Sequence, residues 1–489
     1  MKKQNKNKDS PVTYLSQRGY AIDKEGNEEL VEKLKKTLTV KPRTNPSAPG
    51  ADLVQPFPVY RESTKKLYMP RVFGFETFGP PKHDTLHHGD DCPRLQFQGT
   101  LRPEQQAPVD AFLEAAADPV RMGGIISLQC AGGKTVLALY LSAAIKKKTL
   151  VICHKEFLLN QWKERIGQFL PDAKVGIIKA KLLAVDDCDI VLASLQSLAM
   201  KEYPPSLFEQ FGLIVSDECH HLSAEVFSQA LPKVTSRIFL GLSATLDRKD
   251  GLRKVFEWYL GKPVYQNKKR TESQMIVRMV PYFDPNPGYS KECMMWNGKR
   301  NVSQMLSAVC NWAPRTKVIL DELEAALKKE PARRVLILSD RRGHLKELER
   351  QILERKLGTV GYYVGGMKEH ELKDSESKDI ILATLAMSSE GMDIPALDTL
   401  VLASPVSAIE QPIGRIQRQK PSERKHIPLT IDIWDDFSLY VNQGKRRLQF
   451  YKKNGYSVEG KGGQDDGCGE GDDQQATTTI IPDFESDDD

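Results

Sequence analysis

The chain has 489 residues, of which 40% are hydrophobic and 28% charged, enough for two to four domains with cores of their own. No apolar run reaches the roughly 18 residues that a membrane-spanning helix needs, and the polar, lysine-rich start (Met1 to Lys8) excludes a secretory signal. Eight cysteines without CxxC pairs point to a reducing, intracellular setting, cytoplasmic or nuclear. Gly462 to Asp489 holds ten carboxylates and no lysine or arginine, so removing it from a net charge of +5 leaves the preceding 461 residues at +15. A basic body suits a polyanionic partner, although such an excess over this length also suits a plain solvated surface.

Residues 1–50 read as a flexible basic lead-in, with one weak helix over Asn27–Thr37. Residues 51–100 form a small accessory module of short β-prone pieces rich in proline and aromatics, including Phe57 to Tyr60 and Lys66 to Phe73. His83, His87, His88 and Cys92 cluster there without the spacing of a zinc site, and a polar loop is the simpler reading. A helix follows Leu101 to Gln106 and runs through Ala117.

Residues 101–265 read as one domain, in which strands and helices alternate from 120 to 265, the pattern of a parallel sheet covered on both faces. Strands are expected at Gly124–Leu128, Thr149–Cys153, Asp189–Ala193, Gly212–Ser216 and Arg237–Leu242. The helix Glu156–Leu170 carries a core stripe of Phe157, Leu158, Trp162, Ile166 and Phe169. Residues 266–330 read as a connector, where Lys268 to Arg270, Lys299 and Arg300 lie among Tyr289, Trp296 and Trp312; such mixtures bind single strands or are simply solvated loops. A second α/β unit covers 331–458, with strands at Arg334–Leu338, Thr359–Val364, Asp379–Ala383, Thr399–Ala403 and Pro428–Ile433. Its helices include Gly343–Leu357 and Ala408–Gln419, and a further helix spans Phe437–Asn454. Residues 459–489 read as a disordered acidic tail.

The chemistry concentrates at strand ends. Cys130, Ala131, Gly132, Gly133, Lys134 and Thr135 link an apolar strand to a helix. Such a loop turns N–H groups toward phosphates at the positive end of the helix; Lys134 reaches the β- and γ-phosphates and the Thr135 hydroxyl reaches Mg²⁺. Leu128 stands where the full pattern has a glycine. The apolar run Phe211–Ser216 ends in Asp217, Glu218, Cys219 and His220. A carboxylate there is costly unless it binds something charged, so Asp217 suits a metal and Glu218 a general base. Arg415 and Arg418, three apart on a helix, fit a γ-phosphate delivered from the other domain.

Six motifs in this order resemble the superfamily 2 helicases of the DExH type over about residues 101–435: Arg102 to Gln105, Ala131 to Thr135, Asp217 to His220, Ser243 to Thr245, Glu390 to Pro395 and Gln411 to Arg418. Gln161-Trp162 and Ala244 to Leu252 look like the repair and transcription-factor helicase branch, while Tyr60-Arg61 and Met69 to Arg71 look like the helicases of large nucleocytoplasmic DNA viruses, the poxvirus transcript-release helicase among them. The resemblance implies two RecA-like parallel-sheet domains with ATP and Mg²⁺ in the cleft between them. It implies that Gln105 reads adenine, that Gly391 and Asp393 line the second wall, and that Gln411, Arg415 and Arg418 complete the γ-phosphate site. Ser243 and Thr245 would couple hydrolysis to movement, and the loops bearing His154, Ser194 and Thr384 would meet the nucleic-acid backbone. The implied activity is ATP-dependent translocation on nucleic acid, DNA before RNA, in transcription, replication or repair, inside a host cell or virion if viral. The rival is an ATP-dependent clamp or release factor in a transcription complex that unwinds little. A metabolic phosphate-loop kinase is opposed by the arginines of the second domain.

Overall fold

The computed structural model describes residues 11–43, 55–129, 132–219, 224–244, 246, 250–267, 274–296, 298–389, 392, 394–419 and 423–460. Three sheets organise them, beside a two-stranded pairing of Thr39–Val40 with Phe57–Pro58. The first is small and N-terminal: Thr13–Ser16 (β1), Gly19–Asp23 (β2), Arg61–Glu62 (β3), Lys66–Met69 (β4) and His83–Asp84 (β5), in the order β3-β4-β2-β1-β5. Helices Glu28–Thr37 (α1) and Arg71–Phe78 (α2) accompany it, and Pro103–Ala117 (α3) leads to the next sheet. The flexible lead-in expected over residues 1–50 is therefore corrected for 11–43. Leu15, Tyr20 and Ile22 meet Val31, Leu34 and Leu38 of the α1 region, and residues of β4 and α2, in one buried cluster. The apolar residues are few but fall at strand and helix periods, which is enough once a neighbouring sheet covers them.

The second sheet runs Gly123–Ser127 (β6), Thr149–Cys153 (β7), Val175–Lys179 (β8), Leu182–Ala184 (β9), Ile190–Ser194 (β10), Leu213–Ser216 (β11), Ile238–Ser243 (β12) and Pro263–Gln266 (β13). Its order is β9-β8-β10-β7-β11-β12-β6-β13, parallel throughout except β8–β9. Alternate residues of one strand enter opposite cores: Leu150 and Ile152 one, Val151 and Cys153 the other. That two-faced burial is why the strands read as continuous apolar runs. Lys134–Ile145 (α4), Glu156–Phe169 (α5) and Arg253–Leu260 (α6) are among the flanking helices.

The third sheet contains Ile276–Tyr282 (β14), Val335–Leu338 (β15), Val360–Tyr363 (β16), Ile380–Ala383 (β17), Thr399–Leu402 (β18), Leu429–Asp435 (β19) and Ser457–Gly460 (β20). It is wholly parallel, in the order β16-β17-β15-β18-β19-β14-β20. Helices Ala313–Lys329 (α7), Arg342–Glu354 (α8), Glu369–Glu376 (α9), Glu410–Arg415 (α10) and Ser438–Lys453 (α11) surround it. The expected connector over 266–330 is corrected in the same way. Its β14 lies between β19 and β20, and α7 packs Ile319, Leu320 and Leu323 into the core of this sheet. Tyr289 is buried beside Phe437 and Tyr440 rather than offered to a base. Trp312 donates its N–H to Asp284 at 2.9 Å, and Trp296 is 99% exposed. The chain is thus two parallel α/β domains preceded by a small sheet, with the acidic tail after Gly460 outside the described residues.

The candidate ATP cleft

Parallel strands bring their carboxyl ends to one edge, and in open α/β sheets ligands gather there. At that edge of the first domain the β6–α4 loop turns into its helix through Gly133, whose φ of 74° is left-handed. A Cβ on Gly133 would lie 2.5 Å from the Gln105 amide nitrogen and 2.6 Å from an Arg102 nitrogen, so glycine is required by conformation and by space. Gln105 itself is 2% exposed. Its amide donates to the Gly133 carbonyl at 3.2 Å, and its carbonyl accepts from the Arg102 N–H at 2.9 Å, closing the cap of α3. Both ends of the amide thus serve the loop and the helix, and Gln105 does not line the cleft. Held in this way, Gln105 ties the start of α3, where the adenine reader is expected, to the phosphate loop.

Lys134, which opens α4, reaches across to Glu218 at 2.8 Å. Glu218 follows β11 with φ 45°, a left-handed conformation that costs a non-glycine residue about 1–2 kcal/mol. Such strain is held at sites where direction of a side chain matters more than local comfort. Asp217, 5% exposed, accepts from the Trp162 indole N–H at 2.7 Å and from the Glu218 backbone N–H at 3.0 Å. Burial, reinforced by the neighbouring Glu218, pushes the Asp217 carboxyl up to about 6. Burial and Asp217 likewise raise the Cys153 thiol. Ser243, fully buried at the end of β12, accepts from the Leu128 N–H at 3.0 Å through its carbonyl, tying that strand end to the start of the phosphate loop.

The second domain supplies the opposite wall. Gln411, Arg415 and Arg418 line the same cleft of about 1120 Å³ as Gly132, Gly133, Lys134, Thr135, Asp217 and Glu218. Arg415 is anchored from behind, Nε to the Ser388 carbonyl and Nη1 to the Met392 carbonyl, both at 2.7 Å. The expected helix over Ala408–Gln419 is shorter, since α10 ends at Arg415. Arg424 donates to the carbonyls of Gln417 and Gln419, which a continued helix would have used, so Arg418 reaches the cleft from a loop rather than from a shared helical face. The walls also touch directly: the Asn160 amide donates to Glu369 of α9 at 3.1 Å.

The nucleic-acid expectations fall on three strand-end loops. His154, on the first of these loops, is 9% exposed and lines the cleft. It follows β7 directly, so it faces Asp217 and Glu218, and burial holds it below the usual histidine range. Ser194 and Thr384 stay half-buried at the carboxyl edges of their sheets and outside the cleft; Ser194 donates to Gln196, and the Thr384 carbonyl accepts from Met387 and Ser388. Cys130, Ala131, Thr245, Gly391 and Asp393 lie outside the described residues. Among the described residues no group of three or more His, Cys, Asp or Glu side chains could hold a metal ion. His83 instead stacks on Tyr14, and Cys92 is buried beside Leu95 and Val109. No described helix is long and apolar enough to cross a membrane.

Trp162 is the site residue that the sequence reading left in the core. It is buried, as a stripe member should be, yet an indole N–H needs a partner when buried, and that need was the available signal. Asn160 and Glu369 gave no signal, since their bond exists only once the domains face each other.

Residues 98–248 match the family model described as "Type III restriction enzyme, res subunit". The chain is 33% identical over 459 residues to "Putative ATP-dependent RNA helicase L396" of Acanthamoeba polyphaga mimivirus, covering 91% of this chain and 86% of the relative. It is 26% identical over 455 residues to "Putative ATP-dependent RNA helicase QP509L" of African swine fever virus, covering 87% of each. Among solved structures, "The crystal structure of T4 UvsW" aligns with 88% of this chain and 95% of that one, at 17% identity and a TM-score of 0.34. With the nucleotide cleft and these relatives together, the chain belongs to the superfamily 2 helicases and is an ATP-hydrolysing enzyme.

Proposed function

We propose that the protein is a helicase or translocase that couples ATP hydrolysis between its two domains to movement along one nucleic-acid strand. The observation that carries this reading is the two-sided cleft, with the Lys134–Glu218 pair on one wall and Gln411, Arg415 and Arg418 on the other. Gly132, Gly133 and Lys134 hold the phosphates. The arriving anion draws Lys134 away from Glu218, and the freed carboxylate orients and deprotonates the attacking water. Arg415 and Arg418 meet the γ-phosphate only when the domains are together, so hydrolysis removes the bridge and lets them part. Ser243, bonded to the start of the phosphate loop, carries that change into the first domain.

Oxygen donors suit the implied cation. The Thr135 hydroxyl and a buried Asp217 carboxylate, itself held by Trp162, form a hard-ligand pair that would hold Mg²⁺ with the phosphates completing its shell. Bound there, the ion neutralises charge that develops on the phosphate oxygens.

The strand contacts assigned to Ser194 and Thr384 go chiefly to phosphate and sugar, so binding is salt-sensitive and weakly sequence-specific. The branch resemblance favours DNA, whereas the printed names of the mimivirus and swine fever virus relatives say RNA. ATP turnover by the whole chain with single-stranded DNA, double-stranded DNA and RNA, beside Glu218→Gln, decides among them. Turnover that rises with strand length supports a translocase. Turnover independent of length supports a clamp or release factor in a transcription or replication complex, and no stimulation by any strand sinks the motor reading.

A further inference from the structure

Tyr60-Arg61 and Met69 to Arg71, which stand out in the sequence, take no part in the ATP cleft. They converge on a second cavity, at the seam between the N-terminal sheet and the first domain. Its wall includes Arg18, Arg61 and Arg71 with Tyr60, Tyr68 and Tyr259 and, among the described residues, no aspartate or glutamate. It also includes Phe239, near the start of β12, which places the cavity at the amino edge of the parallel sheet, opposite the carboxyl edge that carries ATP chemistry.

Arg71 is the unusual member. It is 3% exposed, yet its guanidinium meets only backbone carbonyls: Nη1 donates to Arg237 at 2.7 Å and Nη2 to Met122 at 3.4 Å, while Nε has no partner. Its plane lies over the Phe239 ring, 5.3 Å from the centroid. The nearby carboxylate of Asp84 is already spent on Arg237, at 2.5 and 2.9 Å. Burial, with Arg237 close by, lowers the Arg71 guanidinium to about 9. A buried cation with an open donor and no carboxylate is costly, and an anion that reaches it recovers that cost.

The two other arginines stand at the rim. Arg18 lies over the Tyr68 ring at 5.9 Å, and Arg61 donates to the Gln229 carbonyl at 3.2 Å. The carboxylate that feels Arg61, Glu202, is paired with Lys233 at 2.8 Å. The cavity itself measures about 20 Å³, room for about one water-sized atom such as a single phosphate oxygen, and too little for a nucleotide.

We propose that this seam is a phosphate-binding site that takes one backbone phosphate of a nucleic-acid strand, Arg71 at its floor and Arg18 and Arg61 gripping the strand at the rim. One phosphate oxygen fits the small floor while the rest of the diester and its neighbours remain outside, within reach of the rim arginines. The proposal rests on the reading of this protein as a strand-binding motor and adds a contact remote from the ATP cleft.

The test is fluorescence anisotropy with a labelled single-stranded DNA and an RNA of the same sequence, without nucleotide, across a salt series. It compares the unaltered full chain, Arg18→Gln with Arg61→Gln, and Arg71→Met. A parallel thermal-shift series uses inorganic phosphate against chloride at equal ionic strength. The expected result is about tenfold weaker strand binding by the rim double variant, with a log–log salt slope shallower by about 2. Arg71→Met should bind similarly weakly while melting no lower than the unaltered chain, since a methionine leaves no unpaired charge in the seam; if it fails to fold, the rim variant decides. Unchanged strand affinity and slope in the rim variant overturn the proposal while leaving the motor reading intact. Stabilisation by inorganic phosphate that depends on Arg71, with strand affinity unaltered, overturns it in favour of a small-anion site. Absence of strand binding by the unaltered chain overturns the motor reading and this proposal together.

Discussion

The two parallel domains bury charge to different ends. In the second domain Arg315 grips Asp435 with two bonds, Nε–Oδ1 at 2.6 Å and Nη2–Oδ2 at 2.8 Å, gives its remaining nitrogen to the Ala403 carbonyl, and shares the carboxylate with the Tyr289 hydroxyl. Arg447, Asp432 and Tyr451 repeat the arrangement three residues away on the same strand, with Val406 supplying the carbonyl. Both networks are almost wholly buried. In the first domain Asp217 has only a neutral indole and a backbone N–H, while the cation within reach, Lys134, is committed to Glu218. A network whose every donor and acceptor is matched holds a fold together. One whose charges are shared unevenly, at an open edge, is ready to exchange partners.

The largest effect separating these uses is on turnover. Glu218→Gln removes the group proposed to take the water proton, and ATP hydrolysis should fall by about 10²–10⁴-fold with little change in melting temperature. Steady-state turnover and a melting curve on one preparation check both halves. Asp435→Asn should do the opposite, costing about 3–5 kcal/mol of stability by leaving Arg315 buried without its counter-charge. Replacing the pair together, Arg315→Met with Asp435→Leu, should cost less than the single change, as read from denaturant midpoints. Equal costs would mean that packing rather than charge carries the contact.

The second domain also contains a titrating group that acts on stability alone. His344 is buried between the hydroxyls of Ser339 at 3.0 Å and Thr316 at 3.4 Å. Burial, with Arg315 nearby, pushes it down to about 3, against about 6.5 in an unfolded chain. The unfolded state therefore takes up the proton first as pH falls, and the stability contributed by neutral His344 is present above about 6.5 and lost progressively toward 3. Between pH 7 and 4.5 the loss should reach about 2–3 kcal/mol, and His344→Gln should flatten that slope.

Much of this could be read from the chain, and the reasons for the remainder are physical. Strands buried on both faces announce themselves as apolar runs, so the cores of both parallel sheets were legible. β14 was not, because Ile276 to Tyr282 alternates and contains Pro281, and its place between β19 and β20 depends on chain 150 residues further on. The phosphate loop and the Asp217-Glu218 strand end were found because a carboxylate closing a buried strand needs a partner. The same reasoning applied to Asp432, inside a strand just as apolar, asks for a buried cation, and Arg447 supplies it. Arg71 gave no such signal, since what distinguishes it is a carboxylate that another arginine has taken.

Two residues on one turn of α5 test the difference between a bond that shapes the site and one that merely crosses it. Trp162→Phe keeps the ring in the core and removes the N–H that holds Asp217, so turnover should fall about tenfold, the cost of one buried donor near 1–3 kcal/mol. Asn160→Ala removes the bond to Glu369 on the opposite domain, but both partners are exposed, and water replaces that bond at little cost. The ATP concentration for half-maximal turnover should therefore move less than about twofold, within the few tenths of a kcal/mol usual for surface changes. A larger shift for Asn160→Ala than for Trp162→Phe would mean that domain closure, rather than the ordering of Asp217, limits the reaction.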